Sequence, residues 1–239
     1  MSRASKRQER KAKKQPKQES RIKERQVRNN EPLTGRNQIQ VDYIESILNN
    51  VQTFAIGPAG AGKTFIPATI AADMLLDGTI NKIILCRPAV EAEEWHGFLP
   101  GGIIDKMAPW VKPFTDVIER RVGKSDYRRF LNDGAIEIVP FAFMRGLTFN
   151  DAFVILDEAQ NSTTGQMKLF LTRIGENVRV VVNGDLSQKD IKGQSGLEAA
   201  LGIASYGLPN TGIVRFTMKE VVRSETCQAW VDAYEKAKV

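Results

Sequence analysis

The sequence is poor in the residues that build disulfide frameworks and metal clusters. Its 239 residues include two cysteines, Cys86 and Cys227, and one histidine, His96. The cysteines are far apart and share no motif with the histidine, so we expect reduced thiols in a cytoplasmic protein and neither a bridge nor a zinc site. No apolar run reaches the ~18–20 residues that a membrane-spanning helix needs, and the N-terminus lacks an apolar signal-peptide core.

Positive charge is concentrated in the first thirty residues. They contain 12 Lys/Arg and 3 Glu, whereas the other 209 residues contain 22 Lys/Arg and 25 Asp/Glu. Residues 1–30 also lack aromatic side chains, which predicts a disordered basic tail. We expect this tail to bind single-stranded nucleic acid, with a solubilising terminus as the alternative. If about six to eight of its charges met phosphates, log K would fall with log salt at a slope of about −4 to −6.

From residue 31 onward, short apolar runs alternate with segments of helical spacing. The runs predict strands at Thr53–Ile56, Lys82–Cys86, Ile136–Val139, Phe153–Leu156, Val178–Val182 and Ile213–Phe216. The spacing predicts helices at Asn37–Asn50, Lys63–Leu76, Ile103–Val122 (interrupted by Pro109 and Pro113), Thr164–Ile174, Gly196–Ser205 and Lys219–Lys236. This pattern is typical of an α/β fold with a mostly parallel sheet and helices on both faces. We expect one such domain over residues 31–239.

A glycine-rich segment between the first strand and the second helix carries the strongest functional signal. Residues 57–64, Gly-Pro-Ala-Gly-Ala-Gly-Lys-Thr, match the pattern G-x-x-x-x-G-K-[ST] in a strand–turn–helix context. Glycines let the backbone approach phosphate closely, and N–H groups at the helix start attract the anion. We expect Lys63 to bridge the β- and γ-phosphates of ATP and Thr64 to ligate Mg²⁺. The predicted nucleotide-contacting residues are Gly57, Pro58, Ala59, Gly60, Ala61, Gly62, Lys63 and Thr64.

Two later strands end in polar residues that should reach the same edge of the sheet. The run Phe153-Val-Ile-Leu-Asp-Glu158 places two carboxylates at a strand end, where open α/β sheets bind ligands. We expect Asp157 to hold Mg²⁺ through its water shell and Glu158 to polarise the attacking water. The run Val180-Val-Val-Asn-Gly-Asp185 leads to Gln188, which we expect to contact the γ-phosphate or that water. The alternative for Gln188 is a capping turn after a strand.

Together these motifs resemble a known family. The Asp-Glu-Ala-Gln and Gly-Asp-x-x-Gln runs look like motifs II and III of superfamily-1 helicases. Longer strings, from about residue 33 to the C-terminus, are similar to the PhoH family of bacterial and phage ATPases. They include Arg87-Pro-Ala-Val-Glu91, Gly97-Phe-Leu-Pro-Gly101, Met144-Arg-Gly146, Leu156-Asp-Glu-Ala-Gln160 and Val221-Val-Arg223. The resemblance implies a RecA-like P-loop core, ATP binding and hydrolysis, and a role in RNA or DNA metabolism.

The resemblance also implies roles for individual residues. Gln40, preceded by Leu33-Thr34, looks like the motif that reads adenine, since an amide can pair with the N6 and N7 edge of that base. Arg87 corresponds to the family's Arg-Pro-Ala motif, in a region where helicases contact single strands. Arg223 resembles the helicase arginine that touches the γ-phosphate.

The chain has room for one RecA-like lobe, whereas two-domain helicases close a second lobe over the nucleotide. An arginine finger is worth about 10³–10⁵ in rate. We therefore expect a neighbouring subunit to supply one in a homo-oligomeric, head-to-tail ring such as a hexamer. Arg223 is the first candidate, with Arg145 and Arg173 behind it, and surface salt bridges are the alternative for all three.

The sequence as a whole favours an ATPase that remodels single-stranded nucleic acid, RNA in preference to DNA. One alternative is a nucleotide-switched binding module, in which ATP reorders loops but no translocation follows. Another is a nucleotide kinase. The paired carboxylates count against the kinase, because transfer to an acceptor has less need of a base for water.

Overall fold

The computed structural model describes residues 31–88 and 103–221, together with Thr226, Ala229, Trp230 and Ala233. The predicted basic tail (1–30), Arg223 and Cys227 lie outside the described residues, as does most of the predicted helix Lys219–Lys236. Among the helices of the described part, none combines the length and the apolar character that crossing a membrane would require.

Six strands form a single sheet at the centre of the domain. They are β1 (Gln52–Ile56), β2 (Lys82–Cys86), β3 (Ile136–Ile138), β4 (Ala152–Leu156), β5 (Val178–Gly184) and β6 (Thr211–Arg215). Their order across the sheet is β3-β2-β4-β5-β1-β6, and every neighbouring pair is parallel. All six predicted strands are confirmed, with ends that shift by at most two residues. Because the strands are parallel, the segments that follow β1, β4 and β5 meet at one edge.

Helices cover both faces of this sheet, as predicted. They are α1 (Gln38–Asn49), α2 (Phe65–Leu76), α3 (Ile103–Val122), α4 (Lys124–Asn132), α5 (Thr164–Leu171) and α6 (Gly196–Ala204). Successive strand side chains point to opposite faces. Ile155 therefore packs with α1, α2 and α3 through residues such as Phe114, whereas Val154 packs with α5 and α6 through residues such as Phe170. Coverage on both sides explains why β4 is apolar along its whole length.

Helix α3 differs from its prediction, because it continues unbroken through Pro109 and Pro113. A proline inside a helix removes a hydrogen bond and costs about 3 kcal/mol or more. Buried residues such as Phe114 pack α3 against α2. Arg121 adds two hydrogen bonds to Asp73 of α2, at 2.6 and 2.8 Å. Packing against α2 thus holds the helix together across both prolines.

Helix α4 is absent from the sequence-based prediction. It has nine residues, none of them fully buried, and it follows α3 after the single residue Gly123. Its apolar side chains, Tyr127 and Phe130, are only partly buried against the core. Tyr127, Phe130 and Leu131 do stand at helical spacing, but three apolar positions in nine residues are too few to predict a helix by themselves.

Candidate nucleotide-binding site

The carboxyl ends of β1, β4 and β5 surround a cavity of about 310 Å³. Its lining comes from the three segments that the sequence analysis selects: Ala59, Gly60, Gly62, Lys63, Thr64, Phe65, Asp157, Glu158, Gly184, Asp185 and Gln188. The structure therefore brings Lys63, Thr64, Asp157, Glu158 and Gln188 together, although they come from segments up to 125 residues apart in the chain.

The P-loop, residues 57–64, turns sharply out of β1 and into α2. Three of its glycines have positive φ angles. At Gly57 a Cβ atom would also come within 2.3 Å of the backbone oxygen of Phe216, so this position requires glycine for space as well as conformation. The Lys63 ammonium donates hydrogen bonds to the carbonyls of Gly57 and, at 2.7 Å, Pro58. Its charge is thus held beside the loop at the start of α2.

A buried polar network supports the P-loop from behind. Gln40 on α1 donates to the Ala61 carbonyl at 2.9 Å. Asn183 on β5 donates to the Lys63 carbonyl at 2.7 Å. The Tyr43 hydroxyl lies 3.0 Å from the Asn183 side-chain oxygen and 3.3 Å from the same carbonyl. Tyr43 and Asn183 are 0% exposed. Burying polar groups costs free energy unless they are paired, and here their pairing fixes two carbonyls of the loop.

Gln40 is the residue that the resemblance assigns to adenine. It is 5% exposed, and both polar ends of its side chain are engaged. Its oxygen accepts from the Arg36 amide at 2.9 Å, while its nitrogen donates to Ala61. Among the described residues it supports the P-loop and does not line the cavity. Contact between Gln40 and adenine stays a prediction.

Asp157 and Glu158 follow β4 directly and face the cavity together. Burial and the neighbouring charge of Glu158 raise the pKa of Asp157 to about 6, while the charges of Arg87 and Lys63 act in the opposite direction. Glu158 has a left-handed backbone with φ of 51°, which is uncommon for a residue other than glycine. Gln160 donates to the Glu158 carboxylate at 2.5 Å, so this carboxylate is held in place by its own turn.

Gln160 and Gln188 join the acidic pair to the turn after β5. The Gln160 oxygen accepts from the Asp185 amide at 3.1 Å. Asp185 in turn accepts from the Gln188 side chain at 2.8 Å and from the Ser187 hydroxyl at 2.6 Å. Gln188 therefore belongs to a capped turn and also lines the cavity. Its contact with the γ-phosphate stays a prediction.

The donor set fits magnesium that binds together with a nucleotide. Thr64 and Asp157 contribute oxygen atoms to the same cavity as Lys63. Over the described residues, no group of three or more His, Cys, Asp or Glu could hold a metal ion by itself. Magnesium at phosphate sites keeps several waters and takes one or two protein ligands, with substrate phosphates completing the shell. Thr64 as a direct ligand, with Asp157 beside the water shell of the ion, would meet that requirement.

Several residues of the site escape sequence reasoning. Gln160 ends the Asp-Glu-Ala-Gln run, but that motif gives it no role of its own, and Asn183 lies inside the run that leads to Asp185. Tyr43 appears in the sequence only as an apolar position of α1. Phe65, 50% exposed at the mouth of the cavity, appears only as the residue after the P-loop. Apart from Gln160, none of them has a signal beyond its position near a motif or within a helix.

Comparison with known proteins identifies the family. A family model described as "PhoH: PhoH-like protein" matches residues 32–235. The chain belongs to the PhoH-like protein family. The strand order, the P-loop after β1 and the acidic pair after β4 agree with the RecA-like P-loop fold that the resemblance implies. The predicted fold class is therefore confirmed.

Curated PhoH-like relatives match most of this chain. Protein PhoH of Escherichia coli (strain K12) is 47% identical over 214 residues, which are 88% of this chain and 60% of that protein. The PhoH-like protein of Bacillus subtilis (strain 168) is 41% identical over 200 residues, 82% of this chain and 62% of that protein. The chain thus spans about three fifths of the length of these relatives.

Solved structures resemble the chain more distantly. The large terminase from a thermophilic bacteriophage has a TM-score of 0.49 and 11% identity, covering 84% of this chain and 50% of that one. The UvsW helicase from bacteriophage T4 has a TM-score of 0.43 and 15% identity, covering 79% and 64%. At TM-scores below 0.5 these likenesses add nothing to the family assignment.

The network behind the P-loop predicts a specific effect of Tyr43→Phe. The change removes one hydroxyl and leaves the buried Asn183 oxygen without that donor, which should weaken Mg·ATP binding about fivefold, the equivalent of about 1 kcal/mol. Titration with a fluorescent ATP analogue measures the dissociation constant. Tyr127→Phe, which removes a partly buried hydroxyl far from the P-loop, should bind like the unmodified protein. Equal affinities in both variants would contradict the supporting role.

The raised pKa of Asp157 predicts that magnesium-dependent nucleotide binding weakens in acid. Above about pH 6 this carboxyl is charged and can attract the cation. Below that pH it holds a proton, so the affinity for magnesium should fall by up to about tenfold per pH unit. Magnesium titrations of analogue binding between about pH 5 and pH 8 test this.

Asp157→Asn is the matched control for the pH series. It should bind magnesium more weakly throughout and retain only the pH dependence of the nucleotide's own phosphates. The same pH profile in both proteins would show that Asp157 does not control metal binding.

Proposed function

We propose that the chain is a magnesium-dependent ATPase that acts on single-stranded nucleic acid, RNA in preference to DNA. The observation that carries the ATPase part is the convergence of Lys63, Thr64, Asp157 and Glu158 on one cavity. A phosphate cradle, a metal-binding carboxylate and a second carboxylate are the parts that ATP hydrolysis needs.

Each part of the site then has a chemical task. The amides at the start of α2 and the Lys63 ammonium hold the β- and γ-phosphates and offset their charge. Thr64 and Asp157 would hold Mg²⁺, which supplies further charge neutralisation on the phosphates when it is bound. Glu158, held by Gln160, orients a water toward the γ-phosphate and accepts its proton.

Nucleic acid as the partner is supported by charge and by motifs. The segment 1–30 carries 12 of the chain's 34 Lys/Arg residues. The Asp-Glu-Ala-Gln and Gly-Asp-x-x-Gln runs, similar to superfamily-1 helicase motifs, lie at the cavity. A cytoplasmic location also belongs to the proposal, and it is compatible with Cys86, which is a buried free thiol.

The geometry also supports a contribution from a neighbouring subunit. The Arg173 carbonyl accepts from the Phe149 amide at 2.8 Å, in the segments that precede β5 and β4. Arg173 therefore lies at the amino edge of the sheet, separated from Asp157 by the length of β4, about 16 Å. Its buried Nε atom has no hydrogen-bond partner among the described residues, whereas one terminal nitrogen donates to the Leu147 carbonyl at 3.4 Å. At that distance it does not reach the nucleotide site of its own chain, so as a finger it would act on the site of an adjoining copy.

We therefore infer a head-to-tail ring in which each subunit presents its amino edge to the nucleotide of the next. Arg173 and Arg145, which is exposed in the segment that leads to Phe149, lie among the described residues. Arg223, the first candidate from the resemblance, lies outside them. The three arginines remain competing candidates for the finger.

ATP turnover of the purified protein tests the proposed function. Lys63→Ala should abolish hydrolysis, because the phosphates lose their cationic partner. Glu158→Gln should retain ATP but lower turnover by about 10²–10⁴-fold, since the general base is gone. Lys168→Ala, which removes an exposed lysine of α5, is the matched control and should leave turnover unchanged. Equal turnover in the unmodified protein and in Lys63→Ala would contradict the assignment.

The partner is tested in the same assay with oligonucleotides. Single-stranded RNA should raise turnover more than DNA does. A protein without residues 1–30 should bind RNA more weakly and with a shallower salt dependence. If RNA binds without raising turnover, the nucleotide-switched binding module is the correct description.

Mixing two inactive variants tests the neighbouring arginine. A Lys63→Ala subunit lacks a working site but can still offer its arginine, whereas Arg173→Ala keeps its site and lacks the finger. If Arg173 is the finger, mixed rings should recover part of the activity, because some intact sites adjoin an intact arginine.

The control for this experiment is a mixture of Lys63→Ala and Glu158→Gln. Both changes disable the subunit's own site, so this mixture should stay inactive. The series is repeated with Arg145→Ala and Arg223→Ala. No recovery with any of the three arginine variants, or a single-chain mass in the presence of an ATP analogue, would overturn the ring.

A further inference from the structure

Arg87 occupies a central position that its motif does not account for. It directly follows β2, and its guanidinium lies between the two cavity carboxylates and helix α3. One nitrogen is 3.9 Å from an Asp157 oxygen and the other is 3.7 Å from a Glu158 oxygen. The same group donates to the Trp110 carbonyl at 3.2 Å, and its carbon lies 4.9 Å from the centre of the Trp110 ring.

The two sides of this arrangement differ in kind. Nitrogen–oxygen distances of 3.7 and 3.9 Å exceed the 2.7–3.2 Å of a hydrogen bond, so Arg87 neutralises both carboxylates without being hydrogen-bonded to either by these contacts. On the α3 side it combines a hydrogen bond with a cation–π contact. The contacts with the carboxylates are therefore the ones that a competing cation can replace.

A magnesium ion bound with nucleotide is such a competitor. It would bring two positive charges to Asp157, the carboxylate that Arg87 already partly neutralises. Like charges in a partly buried site repel strongly, because water screens them poorly there. The guanidinium and the metal thus compete for the negative charge of the same pair.

We propose that Arg87 is a positioning residue: it is the counter-ion of the Asp157–Glu158 pair before magnesium nucleotide binds, and it shifts toward Trp110 when the metal arrives. This inference rests on the proposed nucleotide site. It adds that occupation of the site is transmitted to helix α3, where Trp110 is 38% exposed. The magnesium nucleotide is the ligand that displaces Arg87 from the carboxylates. The indole ring of Trp110 reports the displacement.

The direction in which one substitution changes magnesium affinity separates this role from simpler ones. Arg87→Met removes the competing charge, so magnesium should bind about tenfold more tightly in the presence of a nucleotide analogue. Arg87→Lys keeps the charge and should stay close to the unmodified protein. A residue that contacts phosphate, or one that only maintains the fold, would give the opposite sign or no tightening.

The experiment measures magnesium binding and the state of Trp110 separately. The magnesium concentration for half-maximal binding is determined with fluorescent, non-hydrolysable ATP analogue, for the unmodified protein, Arg87→Met and Arg87→Lys. Arg120→Met is the control. It also removes one positive charge, but Arg120 lies ten residues after Trp110 in α3, about 15 Å away along the helix, so this change should have no effect. In a protein that also carries Trp95→Phe and Trp230→Phe, Trp110 emission should change when magnesium and non-fluorescent analogue are added, and Arg87→Met should abolish that change.

The outcomes separate this inference from the proposed function. Absence of magnesium-dependent nucleotide binding in the unmodified protein would overturn both. Normal binding there, with equal or weaker magnesium affinity in Arg87→Met, would overturn the counter-ion role alone. Nucleotide binding without any change in Trp110 emission would overturn the link to α3.

Discussion

The fixed conformation of the P-loop is the feature on which the proposed phosphate site depends. A glycine-rich loop is flexible, so it binds an anion with its amides at a lower entropic cost when other contacts already fix its conformation. Here Gln40 binds the Ala61 carbonyl, and Asn183 binds the Lys63 carbonyl with Tyr43 beside it. Helix α1 and strand β5 thus fix the loop from the protein interior. The parallel sheet then sets the position of every other group relative to it.

Paired negative charge, partly neutralised by Arg87, is the second feature that organises the site. Asp157 and Glu158 are adjacent and share a partly buried cavity, so the pKa of Asp157 is raised to about 6 although Arg87 and Lys63 both oppose the shift. Such a pair favours the approach of a cation. ATP, in contrast, is an anion, and in the proposed complex Lys63 and the loop amides would hold it. The two halves of the cavity therefore suit the two components of a magnesium nucleotide.

Much of this could be predicted from the sequence. The strands are readable because burial on both faces leaves continuous apolar runs, and the P-loop because its chemistry fixes residue types at fixed spacing. The contact between Tyr43 and Asn183 joins residues 140 positions apart, and no local sequence pattern predicts it. The contact between Arg87 and Trp110 is equally invisible in the sequence. So is the unbroken course of α3 through Pro109 and Pro113, because tertiary packing decides both.

Equilibrium dialysis of the unmodified protein against radiolabelled ATP, with and without magnesium, is the most direct measurement of ATP binding by the proposed site. It counts bound nucleotide without relying on turnover, partner or oligomeric state. We predict saturable binding of about one nucleotide per chain, much tighter with magnesium than without it. No measurable retention of ATP in the presence of magnesium would contradict the assignment of this cavity.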